Sequence, residues 1–155
     1  MRVVVQRVDE AEVTVDGVSV GRIGRGLVVF AGLARDDGDA EIAWMARKIA
    51  GLRVFDDATG SRSVLEASAA VLAVSQFTLL ADCRKGRRPS YDRAMPADTA
   101  MALFARFVDE LRTVVPAVET GRFGAAMRVR LVNDGPFTLV IESEPTRTPA
   151  GQKSD

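Results

Sequence analysis

Residues 131–142 read LVNDGPFTLVIE: an apolar, strand-like run stops at Asn133-Asp134-Gly135-Pro136 and resumes at once. Two readings stay open. As a turn, Asn-Asp-Gly supplies the residues that close a hairpin, with strands over 126–133 and 137–143. As a binding element, the proline directly after the glycine removes a ladder donor where pairing should restart, which leaves carbonyl oxygens with fewer internal partners. Gly135 has no side chain, so another molecule can approach its backbone, and a cis X-Pro bond is one way to aim adjacent carbonyls together. Such carbonyls accept hydrogen bonds from an ammonium group, as on an amino acid.

Working outward, Gly26 to Leu33 (GLVVFAGL) is a continuous apolar run, as expected of a central strand buried on both faces. Upstream, residues 2–8 and 11–16 read as two strands, and Gly17 turns the chain into VSVGRI. Asp36, Asp37 and Asp39 offer N-cap oxygens for a helix over 39–50 that buries Ile42, Met45 and Ile49. Residues 52–55 (LRVF) suggest a short strand, 56–63 a polar loop, and 69–80 (AAVLAVSQFTLL) a second buried strand. A basic loop over 81–91 precedes a helix after Pro96, with Phe104, Phe107, Val108, Leu111 and Val115 on its apolar face and Pro116 as its stop. Residues 117–120 complete the strands. The order predicts an α/β (α+β-like) fold in which mixed sheet is layered with two main helices. Residues 1–144 form a single domain in this reading, and the tail at 145–155, poor in apolar residues, is expected to be disordered.

Composition narrows the chemistry. Of 155 residues, 47% are hydrophobic, enough for one domain with a sizeable core. Lys plus Arg and Asp plus Glu both count 21, so attraction to nucleic acid must come from a local patch. The single cysteine, Cys83, makes neither an internal disulfide nor a thiolate zinc site, which fits a reducing cytoplasm. The charged N-terminal stretch MRVVVQRVDE has the form of neither a signal peptide nor a membrane span. There is no histidine, which excludes a Ser-His-Asp or Cys-His site and a histidine general base. No phosphate-cradling glycine motif and no metal-ligand pattern is present, so neither cofactor nor metal is expected.

Two further stretches carry candidate chemistry. In Ser75-Gln76-Phe77-Thr78 the hydroxyls either satisfy backbone groups at a strand end or, with backbone N–H groups, face a pocket that holds an ester carbonyl as negative charge develops on it. In CRKGRRPSY, Arg84, Lys85, Arg87 and Arg88 put four cations in five positions beside Tyr91. They are either a solvated loop or a clamp on nucleic-acid phosphates.

Taken together, QRV (6–8), SQFTL (75–79), GRRPSY (86–91), TGRFGAAM (120–127) and NDGPFT (133–138) resemble the bacterial and eukaryotic D-aminoacyl-tRNA deacylase family, in the same order from residue 1 to about 141. The resemblance implies a β/β/α arrangement and a cytoplasmic homodimer. Its implied partner is the aminoacylated 3′ end of tRNA, with no membrane and no DNA. The activity implied is hydrolysis of the D-aminoacyl ester, with glycyl-tRNA mischarged on tRNA-Ala as a further substrate. Gly135 and Pro136 match a Gly-cisPro motif that enters the partner's site and excludes L-amino acids. Thr78 matches the catalytic threonine position, and with no base beside it we rank a positioning role above a nucleophilic one. Arg7, which orients the Gly-cisPro motif, belongs with the substrate-binding set, as do Ser75, Gln76, Phe77, Phe123, Gly124, Ala125 and Met127. The basic loop at Arg84, Lys85, Arg87 and Arg88 fits the acceptor stem. Two positions depart from the family's pattern: GPFT replaces the usual GPVT, and FGAAM replaces FGADM. Competing readings are an editing domain that removes L-serine and a tRNA-binding dimer without catalysis.

Overall fold

The computed structural model describes residues 1–58 and 60–143, so the tail at 145–155 lies outside the described residues. Residues 131–142, turn-like in sequence, lie within one strand. Strand β1 (Arg2–Val15) pairs antiparallel along its length with the last strand, Met127–Glu142. Met127 to Asn133 run opposite Val15 to Val8, and Thr138 to Glu142 opposite Gln6 to Arg2. Asp134, Gly135, Pro136 and Phe137 face the single residue Arg7. Of the two readings of Asn133 to Pro136, the hairpin turn gives way to a bulge, because β1 is one continuous template for both halves. The two strands expected over 2–8 and 11–16 are likewise one.

β1 turns through Asp16 (φ 51°) and Gly17 (φ 79°) into β2 (Val18–Ile23), the Asp-Gly chemistry of a tight hairpin. β3 (Gly26–Gly32) then lies antiparallel to the first half of β1 and parallel to a later strand, Ala70–Ser75. As its unbroken apolar run predicts, β3 is buried on both faces. Leu27, Val29 and Ala31 enter a core with the helices, while Val28 and Phe30 enter a second core. That second core lies between strands and is completed by Val8, Ala11 and Val13 of β1 and by Val129 and Leu131.

The bulge is where the long ribbon passes from one core to the other. Val3 and Val5, with Leu139 and Ile141 opposite, belong to the helix-side core; beyond Arg7, the inward residues belong to the strand-side core. One ribbon thus serves two layers, and the result is the expected β/β/α arrangement.

Helix α1 (Asp39–Gly51) buries Ile42, Met45 and Ile49 as its spacing predicts. Its cap differs from expectation. Gly38 is the N-cap, and its N–H donates to Glu41 Oε2 at 2.9 Å. The aspartates serve elsewhere: Asp37 accepts from the Met1 ammonium and the Ala34 N–H, and Asp39 pairs with Arg106 of the second helix. The strand expected at 52–55 and the polar loop after it become a small hairpin of β4 (Phe55–Asp57) and β5 (Gly60–Arg62). Phe55, 1% exposed, anchors it, and Ser61 Oγ donates to Asp56 Oδ1 at 2.6 Å. β6 (Ala70–Ser75) is shorter than the expected strand over 69–80. The Gln76 N–H makes a last bond to the Ala31 carbonyl at 2.8 Å, and Phe77–Leu80 then form a 3-10 turn that buries Leu80. Helix α2 (Ala97–Val114) buries Phe104, Phe107, Val108 and Leu111 against α1 and the sheet. β7 (Val118–Thr120) joins β6 in parallel, and β8 (Met127–Glu142) closes the chain along the edge of β1. Among the described residues no helix is long and apolar enough to cross a membrane.

Candidate active site

At the end of β6 the structure brings together two segments distant in sequence. Ser75, Gln76 and Phe77 form one wall of a cavity of about 590 Å³, and Phe123, Gly124, Ala125 and Met127 form another. Leu33 and Met95 contribute apolar lining, Met95 from the approach to α2. Each wall has a local cause. Gly124 sits at φ 74°, a left-handed turn before β8, while Phe123 is anchored on Phe104 with ring centroids 5.9 Å apart. Gly32 lets β3 lie close beneath the turn after Ser75, since a Cβ there would sit 2.9 Å from the Gln76 carbonyl oxygen.

The amides of Phe77 and Thr78 open that turn and are the donors a helical start leaves without an internal acceptor. Among the described residues neither donates to a backbone carbonyl outside the turn. Thr78 is exposed, lies beside rather than within the cavity lining, and its Oγ1 accepts a hydrogen bond from Gln76 Nε2. The Thr78 hydroxyl thus bonds a side chain, while the Thr78 carbonyl accepts the Ala81 N–H at 3.1 Å.

Gly135 and Pro136 do not line this cavity. Met127 and Gly135 are eight positions apart on β8, roughly 25 Å of extended strand. Both Gly135 and Pro136 are exposed, and the peptide joining them is cis. Beneath them lies Arg7, only 8% exposed. Its guanidinium donates to the Val54 carbonyl, reaches the Gly135 carbonyl at 3.5 Å, and lies 4.3 Å over the Phe137 ring. Arg7 Nε is 2.7 Å from Asp134 Oδ2, an ion pair by distance rather than an aligned hydrogen bond. The phenyl ring at 137 therefore packs inward under a cation instead of crowding the exposed side. At the neck of the bulge, Gln6 Nε2 donates to Asn133 Oδ1 at 3.1 Å and to Thr138 Oγ1 at 3.2 Å. Gln6 stands in the QRV motif without a role assigned from sequence; its partners appear only once β1 and β8 are paired. The other departure, Ala126, is exposed next to the cavity wall.

The basic loop is closed at its base by reciprocal backbone bonds between Asp82 and Ser90, at 2.8 and 3.0 Å. Arg84 is spent on this closure. Its backbone N–H and its guanidinium both donate to Asp82, and the side-chain bond above all holds the Asp82 carboxyl well below the usual carboxylate range. Among the described residues Lys85, Arg87 and Arg88 have no acidic partner. Of the four cations in this loop, Arg84 is thus the one with an acidic partner among the described residues. Tyr91, at the end of this loop, lines the cavity and meets Phe77 edge to face.

A strand-end pocket, a basic loop that reaches it through Tyr91 and an exposed glycine-proline bulge share one β/β/α scaffold, and the comparisons place that scaffold among the aminoacyl-tRNA deacylases, a class of hydrolase. The chain belongs to the D-Tyr-tRNA(Tyr) deacylase family, whose model matches residues 4–142. It is 55% identical over 148 residues to the D-aminoacyl-tRNA deacylase of Symbiobacterium thermophilum, covering 94% of this chain and 98% of the relative. It is 51% identical over 145 residues to that of Thermotoga petrophila, covering 92% and 97%. Among solved structures it is similar to the c-Myc DNA Unwinding Element Binding Protein, with TM-score 0.88, 42% identity and coverage of 93% and 99%. A structure described as a probable eukaryotic D-amino acid tRNA deacylase shares the fold at 21% identity, with TM-score 0.77 and coverage of 90% and 97%.

Proposed function

We propose that this protein is a cytoplasmic, homodimeric hydrolase that cleaves the ester between a D-amino acid and the terminal ribose of tRNA, releasing both. The observation that carries this reading is the meeting of Ser75-Gln76-Phe77 with Phe123-Gly124-Ala125 and Met127 around one cavity. Family membership supplies the reaction. The open amides of Phe77 and Thr78 are suited to hold the ester oxygen as charge develops on it, and such stabilisation contributes more to rate than any other effect in many acyl transfers. Thr78 positions the substrate rather than attacking it, for its hydroxyl accepts from Gln76 and the chain has no histidine to deprotonate it. The neighbouring 2′-hydroxyl of the substrate ribose serves the hydrolysis, and the protein contributes placement.

In this reading Gly135 and Pro136 enter the partner subunit's pocket, and their carbonyls occupy the space that an L side chain needs. Support comes from three facts: the bulge is remote from its own pocket along β8, it is exposed, and Arg7 holds it from beneath. Glycine, with no side chain, passes such a filter, so glycyl-tRNA mischarged on tRNA-Ala is a substrate as well. Lys85, Arg87 and Arg88 contact phosphates of the tRNA, while Arg84 shapes the loop.

The test is deacylation of matched D- and L-tyrosyl-tRNA at low enzyme concentration. Release of the D-amino acid alone is expected. Comparable release from the L-ester would remove the chiral filter, and tRNA bound without release of either would remove the enzyme.

A further inference from the structure

Phe77 and Tyr91 are large aromatic side chains left exposed at the rim of the cavity, at 56% and 39%. Their centroids are 5.1 Å apart with planes at 65°, so each ring fixes the other while ring surface stays open to solvent. The Tyr91 backbone is held as well. Its carbonyl accepts the Ala94 N–H at 2.9 Å, and Ser90 before it is locked to Asp82. Three and four residues upstream of Tyr91 stand Arg88 and Arg87, with Lys85 beyond, all without an acidic partner among the described residues. Exposed rings next to free cations are the arrangement that holds single-stranded nucleic acid, bases on the rings and phosphates on the charges.

Resting on the function proposed above, we propose that Tyr91, braced by Phe77, stacks on a nucleobase of the unpaired tRNA strand that precedes the terminal adenosine. The wall of Phe123, Gly124 and Met127 takes the esterified nucleoside itself. Tyr91 lies between that cavity and the cationic loop, so the strand leaving the cavity crosses the ring pair before its phosphates reach Arg87 and Arg88. Recognition then extends at least one nucleotide beyond the reacting one.

The test compares Tyr91→Ala, Tyr91→Leu and Tyr91→Phe, each checked for retained folding by urea denaturation. KM and kcat are measured for D-tyrosyl-tRNA and for D-tyrosyl-adenosine, together with the Kd of uncharged tRNA. Loss of the ring is expected to raise KM for the tRNA ester about tenfold more than KM for the adenosine ester. It should weaken uncharged tRNA by a similar factor and leave kcat for the tRNA ester within about twofold. Tyr91→Phe should recover the tRNA affinity. Equal losses on the two esters, unchanged tRNA affinity in Tyr91→Ala, or wild-type protein that does not bind tRNA would each overturn the proposal. If the wild type cleaves neither ester, the deacylase reading falls, and the tRNA Kd still decides whether Tyr91 stacks.

Discussion

A side chain at Gly32 would begin 2.9 Å from the Gln76 carbonyl oxygen and 3.1 Å from Leu79 Cβ, whereas one at Gly135 would meet nothing nearer than Asn133 Nδ2, at 3.6 Å. The first glycine is explained from within the protomer: β3 lies so close under the turn after Ser75 that only a hydrogen fits. The second has neither a crowded neighbour nor a left-handed φ to account for it. Nothing within the protomer crowds the space in front of Gly135. The cavity end of the site is shaped by its own packing, and the bulge end is presented outward.

The largest expected effect comes from the residue that holds the outward end in place. Arg7→Ala removes the ion pair with Asp134, the donors to the Val54 and Gly135 carbonyls and the cation over Phe137, all from a position 8% exposed. A loss of about 3 kcal/mol in urea denaturation is expected, with Arg7→Lys recovering less than half because one ammonium cannot span these partners. A loss below about 1 kcal/mol would mean that the β1–β8 ladder alone holds the bulge.

Gly32→Ala sharpens the comparison from the other side. The new methyl meets backbone, which cannot rotate away, so the Phe77–Leu80 turn must shift. About 2 kcal/mol of destabilisation is expected, together with a fall in kcat that exceeds the unfolded fraction. Full stability with full activity would show that the turn is free to move without cost.

Gly135→Ala separates the two ends. Stability should stay within about 0.5 kcal/mol of wild type, because the methyl enters open space within the chain. Deacylation of D-tyrosyl-tRNA should nevertheless fall about tenfold, roughly 1.4 kcal/mol, if another subunit's pocket closes over this backbone. Unchanged turnover would leave the bulge without a cross-subunit role.

The two ends also differed in how far they could be read from sequence. The central β3 run, the buried faces of both helices and the segments around Ser75 and Phe123 carry local signals: unbroken apolar runs, helical spacing and compact motifs. The structure places the β3 run and the buried helix faces as expected, and it brings the segments around Ser75 and Phe123 together at one cavity. The continuity of β8 carries no such signal. Asn-Asp-Gly-Pro has the residues of a turn, and what makes it a bulge is a template strand more than a hundred positions earlier, β1, which pairs with both halves. The same long-range pairing brings Gln6 against Asn133 and Thr138, which no local pattern shows. The end of β6 was misread for a related reason. Apolar residues continue through Leu80, but the turn buries Leu80 by reversing direction rather than by extending the strand.

In the basic loop, composition does not reveal that Arg84 is already paired with Asp82, and this gives the smallest of the expected effects. Asp82→Asn frees Arg84 from its carboxylate and should open one more phosphate contact. The slope of log Kd for tRNA against log salt should then steepen by about one, with little change in catalysis. The pH window follows from the sign of the shift. Arg84 lowers the Asp82 pKa in the fold from its ordinary 3.8, so the pair is present above that value and is lost only as pH falls through the lowered one. Between about pH 5 and 9 the carboxylate stays ionised and Arg84 stays paired, so the difference in slope should be constant across that range. A slope that does not change on Asp82→Asn would place Arg84 away from the nucleic acid and leave Lys85, Arg87 and Arg88 as the whole of the loop's contact.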